Sequence, residues 1–516
     1  MRQIFTDFVW GLTGEAQEML VENGRVVWRG APGVLPKGPD AKNWSGGTQH
    51  LASIPPACTY VGPQRQTISL NGKRVYPGFI DCHCHVLPFG LSLKEVDLSS
   101  CTTREGVLDR LRDEHQRLEP GKWLQAGGYN QNRFPDGRHL TLSELDAITS
   151  TRPILVSHVS GHASIANSAA LLAAGVGPET PNPSGGEFCR DATGNLNGLV
   201  LENACDKIAQ AAPKPTLEEM ADAILLAAER MANDGISCAS DMMTGYYDLP
   251  QELEAYWIAS ERGARTRFRL FVQWSALFGP KAVSPDALAD LTAKMDRERC
   301  RIAGVKIFAD GALSSRTAAI YGAFEGSEPE HGDWSGHLIY KKERLQEMVL
   351  KAEEAGYAAA IHSLGDYATD VMLDVLEEVG SRRHRLEHAM MLNDRQIERL
   401  ARLGTTCTLQ PEFLLRLGEA YRRNLGEPRA AKLNRCRSLL SAGVRVGFSS
   451  DRPVVAGNPW DGIRSAVQRP KGFDPSENIT EREAILAYTA GAADANEDTG
   501  VVGRLAPGEW ADFCTD

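Results

Sequence analysis

Pro77-Gly78-Phe79-Ile80-Asp81-Cys82-His83-Cys84-His85 is the stretch that decides the fold of this chain. It continues a β-type run, and its two histidines stand two residues apart. Side chains at positions i and i+2 of a strand point to the same face, so His83 and His85 can bind one metal ion together. On a helix the two rings would lie about 200° apart and could not. A His-x-His pair alone also fits a buried strand, so other parts of the chain must supply further ligands.

Length, charge and cysteine usage exclude several classes of protein. A chain of 516 residues exceeds one ordinary core, and a net charge of −11 argues against a nucleic-acid surface. The first residues do not resemble a signal or transit peptide, and no uncharged apolar stretch approaches the roughly 20 residues of a membrane helix. The 11 cysteines are scattered without a CxxC motif. We therefore expect a cytoplasmic protein without nucleic-acid or membrane partners.

The chain before the quoted stretch is poor in helical pattern. Short β-type pieces occur at 19–21, 25–28 and 67–70, and Asn23-Gly24 is typical of a tight hairpin turn. The segment 501–513 returns to β-type character near the other end of the chain. The N-terminal pieces predict a small β domain that precedes the main body.

After residue 235, strands alternate with helices, which is typical of βα units. The predicted strands lie at 80–85, 236–240, 268–272, 305–308, 358–362, 385–388, 405–410 and 444–449. The predicted helices lie at 216–231, 249–262, 288–299, 342–355, 366–379, 394–403 and 432–442. This pattern predicts an α/β fold, a (β/α)₈ barrel of the TIM type over 77–489. A long insertion at 88–213 follows the first strand and contains its own strand at 154–158.

Further candidate ligands stand at the ends of the predicted strands, where parallel barrels carry their functional groups. They are Lys306 on the fourth strand, His362 at the end of the fifth, His388 at the end of the sixth and Asp451 after the eighth. Each type has an ordinary alternative: a pocket histidine, a lysine paired with Asp310, or a turn aspartate. The joint pattern with the His-x-His pair indicates a metal site.

Several blocks resemble the amidohydrolase superfamily and, within it, the YtcJ-like group, also called amidohydrolase family 3. The Pro-Gly-Phe-Ile-Asp before the histidine pair is similar to the first-strand signature of the superfamily. The other similar blocks are 126–135, 161–162, 167–171, 304–318, 362–366, 385–389 and 487–489. The resemblance spans nearly the whole chain, and the group includes N-substituted formamide deformylases.

The resemblance implies a site for two divalent metal ions. The implied ligands are His83, His85, Lys306 and Asp451 for the first ion, and Lys306, His362 and His388 for the second. In this group the lysine is carboxylated and bridges both ions. Burial favours the neutral amine of a lysine, which can capture CO₂ and so gain anionic oxygens. Zinc suits imidazole and carboxylate ligands best, and manganese, cobalt and iron are left open.

The implied activity is hydrolysis of a non-peptide C–N bond in a small-molecule amide. A hydroxide shared by the two ions would attack the carbonyl carbon. Asp451 would take the proton from the attacking water and pass it to the leaving nitrogen. Asp81 and Glu387 are expected either to accept hydrogen bonds from ligand rings or to be ordinary strand-end carboxylates.

Other functions fit the same fold. A deaminase or a cyclic-amide hydrolase would use the same metal site. A catalytically silent relative that serves as a scaffold is expected to lose ligands, whereas all six are present here. The hydrolase is therefore favoured, and a homodimer is left open as the assembly.

The insertion is expected to cap the barrel mouth and to contact the substrate. The substrate candidates are Tyr129, Asn130, Gln131 and His162 in the insertion and Arg316 after the fourth strand. Arg316 either reaches the substrate or braces its own loop on Asp310. Aromatic residues in the insertion favour a moderately hydrophobic amide.

By resemblance, the two terminal segments, 1–76 and 490–516, would pair into one small β-sandwich. Two departures from the group accompany this expectation. Ile165 stands where an aromatic residue is often found, and the usual apolar continuation is missing because the chain stops at Asp516. We expect these departures to affect substrate choice and stability more than chemistry.

Overall fold

The computed structural model describes residues 2–34, 48–50, 66–159, 163–183, 186–280, 282–326 and 334–516. The chain divides into two compact units. The first contains Met1–Leu87 and Ile224–Asp516, and the second contains Pro88–Ala223. The predicted insertion falls inside the second unit. The predicted substrate residue His162 lies outside the described residues.

The strands nearest the N-terminus form a mixed sheet. They are β1 (Arg2–Trp10), β2 (Ala16–Glu22), β3 (Arg25–Gly30), β4 (Thr48–His50), β5 (Gln66–Ser69) and β6 (Arg74–Pro77). Strand β1 pairs antiparallel with β2 and parallel with β5 and β6. The predicted hairpin joins β2 to β3, with φ of 51° at Asn23 and 78° at Gly24. The sequence pattern does not predict β1, because an irregularity at Asp7 (φ 56°) interrupts its alternation.

Strand β7 (Phe79–Cys84) and helix α1 (Val86–Ser92) lead from this sheet to the second unit. The strands that follow are β8 (Val96–Asp97), β9 (Leu124–Tyr129), β10 (Ile154–His158), β11 (Ala163–Ala166), β12 (Gly186–Arg190) and β13 (Leu196–Glu202). They form one sheet in the order β12-β13-β11-β10-β9-β8. Its helices are α2 (Arg104–Arg117), α3 (Leu142–Asp146), α4 (Ser168–Ala173) and α5 (Asn203–Ala209). The strand predicted at 154–158 is confirmed.

The rest of the chain supplies seven more strands to the sheet that begins with β7. They are β14 (Ile236–Thr244), β15 (Arg267–Gln273), β16 (Cys300–Phe308), β17 (Ala358–Ser363), β18 (Arg385–His388), β19 (Thr406–Leu409) and β20 (Val446–Phe448). These strands and β7 form an eight-stranded sheet in chain order, parallel throughout. The predicted TIM-type barrel is therefore confirmed.

Helices alternate with these strands. They are α6 (Leu217–Asn233), α7 (Leu249–Glu261), α8 (Trp274–Phe278), α9 (Pro285–Ala293), α10 (Lys342–Glu354), α11 (Asp366–Val379), α12 (Asp394–Leu403), α13 (Glu412–Arg416), α14 (Gly418–Leu425), α15 (Glu427–Ala430), α16 (Cys436–Ser441), α17 (Pro459–Val467), α18 (Glu481–Leu486) and α19 (Ala492–Ala495). No helix among the described residues combines the length and the apolar character needed to cross a bilayer.

Two predicted helices have different boundaries in the structure. The helix predicted at 288–299 begins earlier, because Ser284 caps it and Pro285 occupies its first position. The helix predicted at 432–442 is shorter and begins at Cys436, because Asn434 has a φ of 55° that ends the preceding turn. Capping residues in the sequence can locate the start of the first of these helices. The start of the second depends on a left-handed asparagine, which is hard to predict.

Backbone hydrogen bonds link the first strand of the barrel sheet to the loop that follows its last strand. The Asp451 amide donates to the His83 carbonyl at 2.7 Å, and the His85 amide donates to the Arg452 carbonyl at 2.8 Å. Every residue of β7 is buried. The loop after β20 is therefore held directly against the strand that carries the histidine pair.

The C-terminal segment contributes to two parts of the first unit, the N-terminal sheet and the barrel. The short strand β21 (Phe513–Thr515) pairs antiparallel with β6, so both ends of the chain contribute to one sheet. Helix α19 instead packs its alanines against Ile80 and Cys82 of β7. The predicted segment 490–516 is thus divided between the barrel and the sheet, because its first part is an apolar helix and only its last part is extended.

Candidate metal centre

The predicted ligands converge at the carboxyl ends of the barrel strands. His83 is on β7, Lys306 on β16, His362 on β17 and His388 on β18, while His85 and Asp451 follow β7 and β20. Parallel strands bring these ends to one rim. The His85 Nε2 lies 2.9 Å from the Asp451 Oδ1, and the His83 Nε2 lies 3.4 Å from the same oxygen. The Lys306 Nζ lies 3.2 Å from the His83 Nε2.

The two remaining histidines continue this group. The His388 ring centroid lies 4.6 Å from that of His83 and 4.6 Å from that of His362. All six predicted ligands are thus in one connected cluster. An arrangement in which Lys306 or His388 pointed away from His83 would have contradicted the predicted metal site.

Three of these side chains fit a single cation. One donor atom each from His83, His85 and Asp451 lies within 4.8 Å of the others. The Asp451 Oδ1 is buried and makes no hydrogen bond to any described residue. A buried carboxylate oxygen without a donor is costly, and a cation beside it would remove that cost. Imidazole nitrogens and a carboxylate oxygen are also the ligands that zinc prefers.

Hydrogen bonds at the far side of two rings fix which nitrogen faces the centre. The His83 Nδ1 contacts the Glu387 carboxylate, and the His388 Nδ1 lies 2.8 Å from the Gln410 Oε1. Because both partners are acceptors, each Nδ1 carries the proton and each Nε2 keeps its lone pair for a metal. The Gln410 amide is itself oriented by donating to the Ser449 Oγ at 2.9 Å.

His362 is oriented in the opposite sense. Its Nε2 lies 3.1 Å from the Gly311 carbonyl and therefore donates, which leaves Nδ1 as the possible ligand atom. Asp310 lies beside this ring and accepts from the Leu364 and Gly365 amides at 3.0 and 2.8 Å. Asp310 therefore shapes the loop after His362 and does not pair with Lys306.

Of the two alternatives left open for Asp81, a hydrogen bond from a ligand ring is not the one that the structure shows. It accepts from the Ser450 amide at 2.9 Å and from the Ser450 hydroxyl. Ser450 directly precedes Asp451, so Asp81 holds the loop that presents the ligand. Glu387 does contact a ligand ring, which is the first of its two alternatives.

Burial sets the protonation of the cluster. Burial lowers the pKa of Lys306 to about 8, although the nearby Glu387 and Asp451 carboxylates oppose this shift. The neutral amine that can capture CO₂ is therefore accessible close to neutral pH. Burial also lowers the pKa of His362 to about 3 and places the pKa values of His83 and His388 well below their usual range. These three histidines are thus neutral, which is the form that binds metal.

The predicted substrate residues have different surroundings. Tyr129 is fully buried in the core of the second unit, where its hydroxyl accepts from the Leu140 amide at 2.9 Å. It belongs to that core and has no surface for a substrate. Asn130 caps a short 3₁₀ turn by accepting from the Asn132 amide at 3.0 Å. The Gln131 Oε1 is buried and makes no hydrogen bond to a described residue.

Arg316 braces its loop, but not on Asp310 as one alternative expected. Its Nε donates to the Asn424 Oδ1 at 3.2 Å, and its carbonyl accepts from the Trp334 indole at 2.6 Å. The Asn424 amide in turn donates to the Leu313 and Ser314 carbonyls. Asp310 is occupied by backbone amides, so it offers no partner to Arg316.

An apolar cluster adjoins the histidines, and the sequence pattern did not single it out. The Phe413 ring lies 6.2 Å from that of His388 with 16° between their planes. Its cluster includes Leu313, Phe324, Leu364, Met390, Tyr421 and Val455. These side chains come from loops and helices that follow β16 to β20, so only the folded barrel gathers them.

Comparisons with known proteins give consistent matches. A model of the amidohydrolase family matches residues 66–515. The protein YtcJ of Bacillus subtilis is 32% identical over 468 residues, covering 88% of this chain and 86% of that protein. An N-substituted formamide deformylase of Arthrobacter pascens is 28% identical over 467 residues, covering 87% and 84%. The crystal structure of an uncharacterized metal-dependent hydrolase from Pyrococcus horikoshii matches with a TM-score of 0.77 at 25% identity, covering 100% of this chain and 97% of that one.

Proposed function

The chain belongs to the amidohydrolase family, and we propose that it hydrolyses the C–N bond of a small-molecule amide with two divalent metal ions at the barrel rim. The observation that carries the proposal is the cluster of imidazoles around a buried Asp451 oxygen that makes no hydrogen bond to a described residue. The matched hydrolase from Pyrococcus horikoshii, described as metal-dependent, supports the same reading.

Both ions, which we propose to be zinc, would be held by the six predicted ligands. His83, His85 and Asp451 would hold one ion, His362 and His388 would hold the other, and Lys306, once carboxylated, would contribute to both. Such ions lower the pKa of a water molecule and polarise a carbonyl oxygen. Carboxylation needs the neutral amine, and burial of Lys306, which lowers its pKa to about 8, makes that form available.

Asp451 is the proposed proton shuttle. It would take the proton from the attacking water and deliver it to the leaving nitrogen. Its backbone supports this role, because the Asp451 amide is tied to the His83 carbonyl and the preceding Ser450 is tied to Asp81. A carboxylate held in this way needs little reorganisation during proton transfer.

The substrate is proposed to be a moderately hydrophobic amide. The apolar cluster around Phe413 lies next to His388, so the His388 side of the proposed site has apolar surroundings. The deformylase from Arthrobacter pascens makes an N-substituted formamide the first compound to examine. Arg316, which belongs to the same unit as the ligand cluster, remains our candidate for contacting the polar part of the substrate.

Metal analysis together with a substrate panel tests the proposal. We expect about two ions per chain after expression with added zinc, and hydrolysis of N-formyl or N-acyl amines. Turnover restricted to lactams or aminopurines would instead identify a cyclic-amide hydrolase or a deaminase. A folded protein that binds no metal and hydrolyses nothing would contradict the proposal and fit a scaffold.

The Asp451→Asn substitution tests the proton shuttle separately. We expect turnover to fall by about 10³, because an amide can neither accept the proton nor supply an anionic ligand. The matched control is Asp461→Asn, since Asp461 pairs with Arg416 and Arg464 away from the ligand cluster. Initial rates, with circular dichroism to verify folding, give the comparison. An Asp451→Asn enzyme as active as the control would exclude the shuttle.

A further inference from the structure

A line of buried polar groups runs from the metal centre into the barrel interior. One Glu387 oxygen contacts the His83 Nδ1 and also accepts from the Thr408 hydroxyl. The other Glu387 oxygen accepts from the Arg385 Nε. Glu387 and Arg385 are both about 99% to 100% buried, so none of these contacts is shared with bulk water. The orientation of the His83 ring therefore depends on Glu387, Thr408 and Arg385, none of which is itself a proposed metal ligand.

Arg385 is anchored at every donor. Its Nη1 donates to the Ala495 carbonyl and to the Asn496 Oδ1, both at 2.9 Å. Its Nη2 donates to the Cys82 carbonyl and, at 3.3 Å, to Glu387. Its guanidinium carbon lies 4.4 Å from the Phe271 ring centroid. This one side chain thus joins β18 to β7 and to the turn after α19.

A buried ion pair is not by itself evidence of a functional role, and the same barrel contains a useful comparison. Arg269 is also fully buried, and its Nε donates to the Asp498 Oδ2 at 2.6 Å. Asp498 contacts no predicted metal ligand; its other arginine partner is Arg301. Arg269 therefore represents a structural pair, whereas the carboxylate partner of Arg385 uses its second oxygen to hold His83.

We propose that Arg385 is a positioning residue of the metal centre, which fixes the Glu387 carboxylate and thereby aims the His83 Nε2 at the ion. The inference rests on the proposed function for the existence of that ion. Without the guanidinium, the Glu387 carboxylate would lose its strongest orienting contact. The His83 ring would then sample other orientations, and the ion would bind less tightly.

The test measures Co²⁺ binding to the full-length protein after its metal has been removed by a chelator. We expect Arg385→Lys to weaken Co²⁺ binding about tenfold, which is the lower end of the effect of residues behind metal ligands. Arg269→Lys is the matched control, and we expect it to lower the unfolding midpoint without changing Co²⁺ affinity. The visible absorption of bound Co²⁺ should also change in Arg385→Lys and stay unchanged in Arg269→Lys.

A second variant keeps the test decisive if Arg385→Lys fails to fold. Thr408→Val removes only the hydroxyl that donates to Glu387, and we expect a smaller loss of Co²⁺ affinity with the same spectral change. Wild-type affinity and spectrum in both folded variants would overturn the inference and leave Arg385 a structural residue. A wild-type protein that binds no Co²⁺ would overturn the metal centre itself, which is a distinguishable failure.

Discussion

His384 directly precedes β18 and His388 is its last residue, yet their surroundings give the two rings different roles. The His388 Nδ1 faces an acceptor, Gln410, so its Nε2 is free for a metal. The His384 Nδ1 instead accepts from the Ala359 amide at 3.0 Å, at the other end of β18. A backbone donor at this position cannot coexist with a protonated Nδ1. His384 is therefore a structural histidine whose neutral form the fold requires.

The free energy of unfolding should depend on pH through the protonation of His384. Burial lowers its pKa to about 4, below the value of about 6.5 in an unfolded chain. The unfolded chain then binds the proton more readily, so this contribution is complete above pH 6.5 and is lost as the pH falls toward 4. The difference corresponds to about 3 kcal/mol of unfolding free energy.

The experiment compares denaturant unfolding of the wild type with that of His384→Gln at several pH values from 7 to 4. Glutamine can still accept from the Ala359 amide but does not titrate, so we expect a flatter pH dependence. Exchange of the exposed His337 to Gln controls for the loss of a histidine. Parallel curves for the wild type and His384→Gln would show that another group carries the acid sensitivity.

At the scale of elements, a glycine stands at each end of α11, for a different reason. Gly365 is needed because a side chain would not fit, and Gly380 is needed because its backbone is left-handed. A Cβ at Gly365 would lie 1.8 Å from the Ala319 carbonyl oxygen, between the loops that follow Lys306 and His362. Asp310 binds both amides at this contact, Gly365 at 2.8 Å and Ala319 at 3.0 Å. Gly380, at the other end, has a φ of 74° and no neighbour near its missing Cβ.

We expect the two alanine variants to differ in metal binding as well as in stability. Gly380→Ala should cost about 1 kcal/mol for the left-handed backbone and leave Co²⁺ affinity unchanged. Gly365→Ala should cost about 2–3 kcal/mol and weaken Co²⁺ binding, because the loop after His362 must move. Denaturant unfolding and Co²⁺ titration measure both effects. Equal Co²⁺ affinity in the two variants would show that this loop does not position His362.

Elements with their own end signals are those that the sequence predicts best. Helix α12 coincides with its predicted range because Asn393 and Gln396 form a capping box and Gly404 ends it. Of the six strands in the second unit the sequence predicts only β10, and the pairing of β8 with β9, of β9 with β10 and of β11 with β13 joins segments that are far apart in the chain. The site follows the same rule. The sequence predicts the ligands because they stand at strand ends. It does not predict the contact of Glu387 with Thr408, because that contact depends on the register between β18 and β19.

At the scale of the whole molecule, the proposed ions connect strands that are far apart in the chain. The ligands belong to β7, β16, β17, β18 and the segment after β20, so metal binding spans the point where the barrel closes. An ion that binds only the folded form stabilises it by about 4 kcal/mol when the free concentration is 1,000 times Kd. Local unfolding where β7 meets the segment after β20 would release the ion, so ion release and local unfolding are coupled.

Metal removal should therefore destabilise the barrel as well as inactivate it. We expect the chelator-treated protein to unfold at a lower temperature, and its midpoint to rise steadily with added Zn²⁺ until the sites are filled. Asp451→Asn should show a smaller rise, because one anionic ligand and the link from β20 to His83 are weakened. Calorimetry at fixed protein concentration makes the comparison. A midpoint independent of Zn²⁺ would mean that the ligand cluster does not hold a metal across the closure, since binding to the folded form alone must appear as stability.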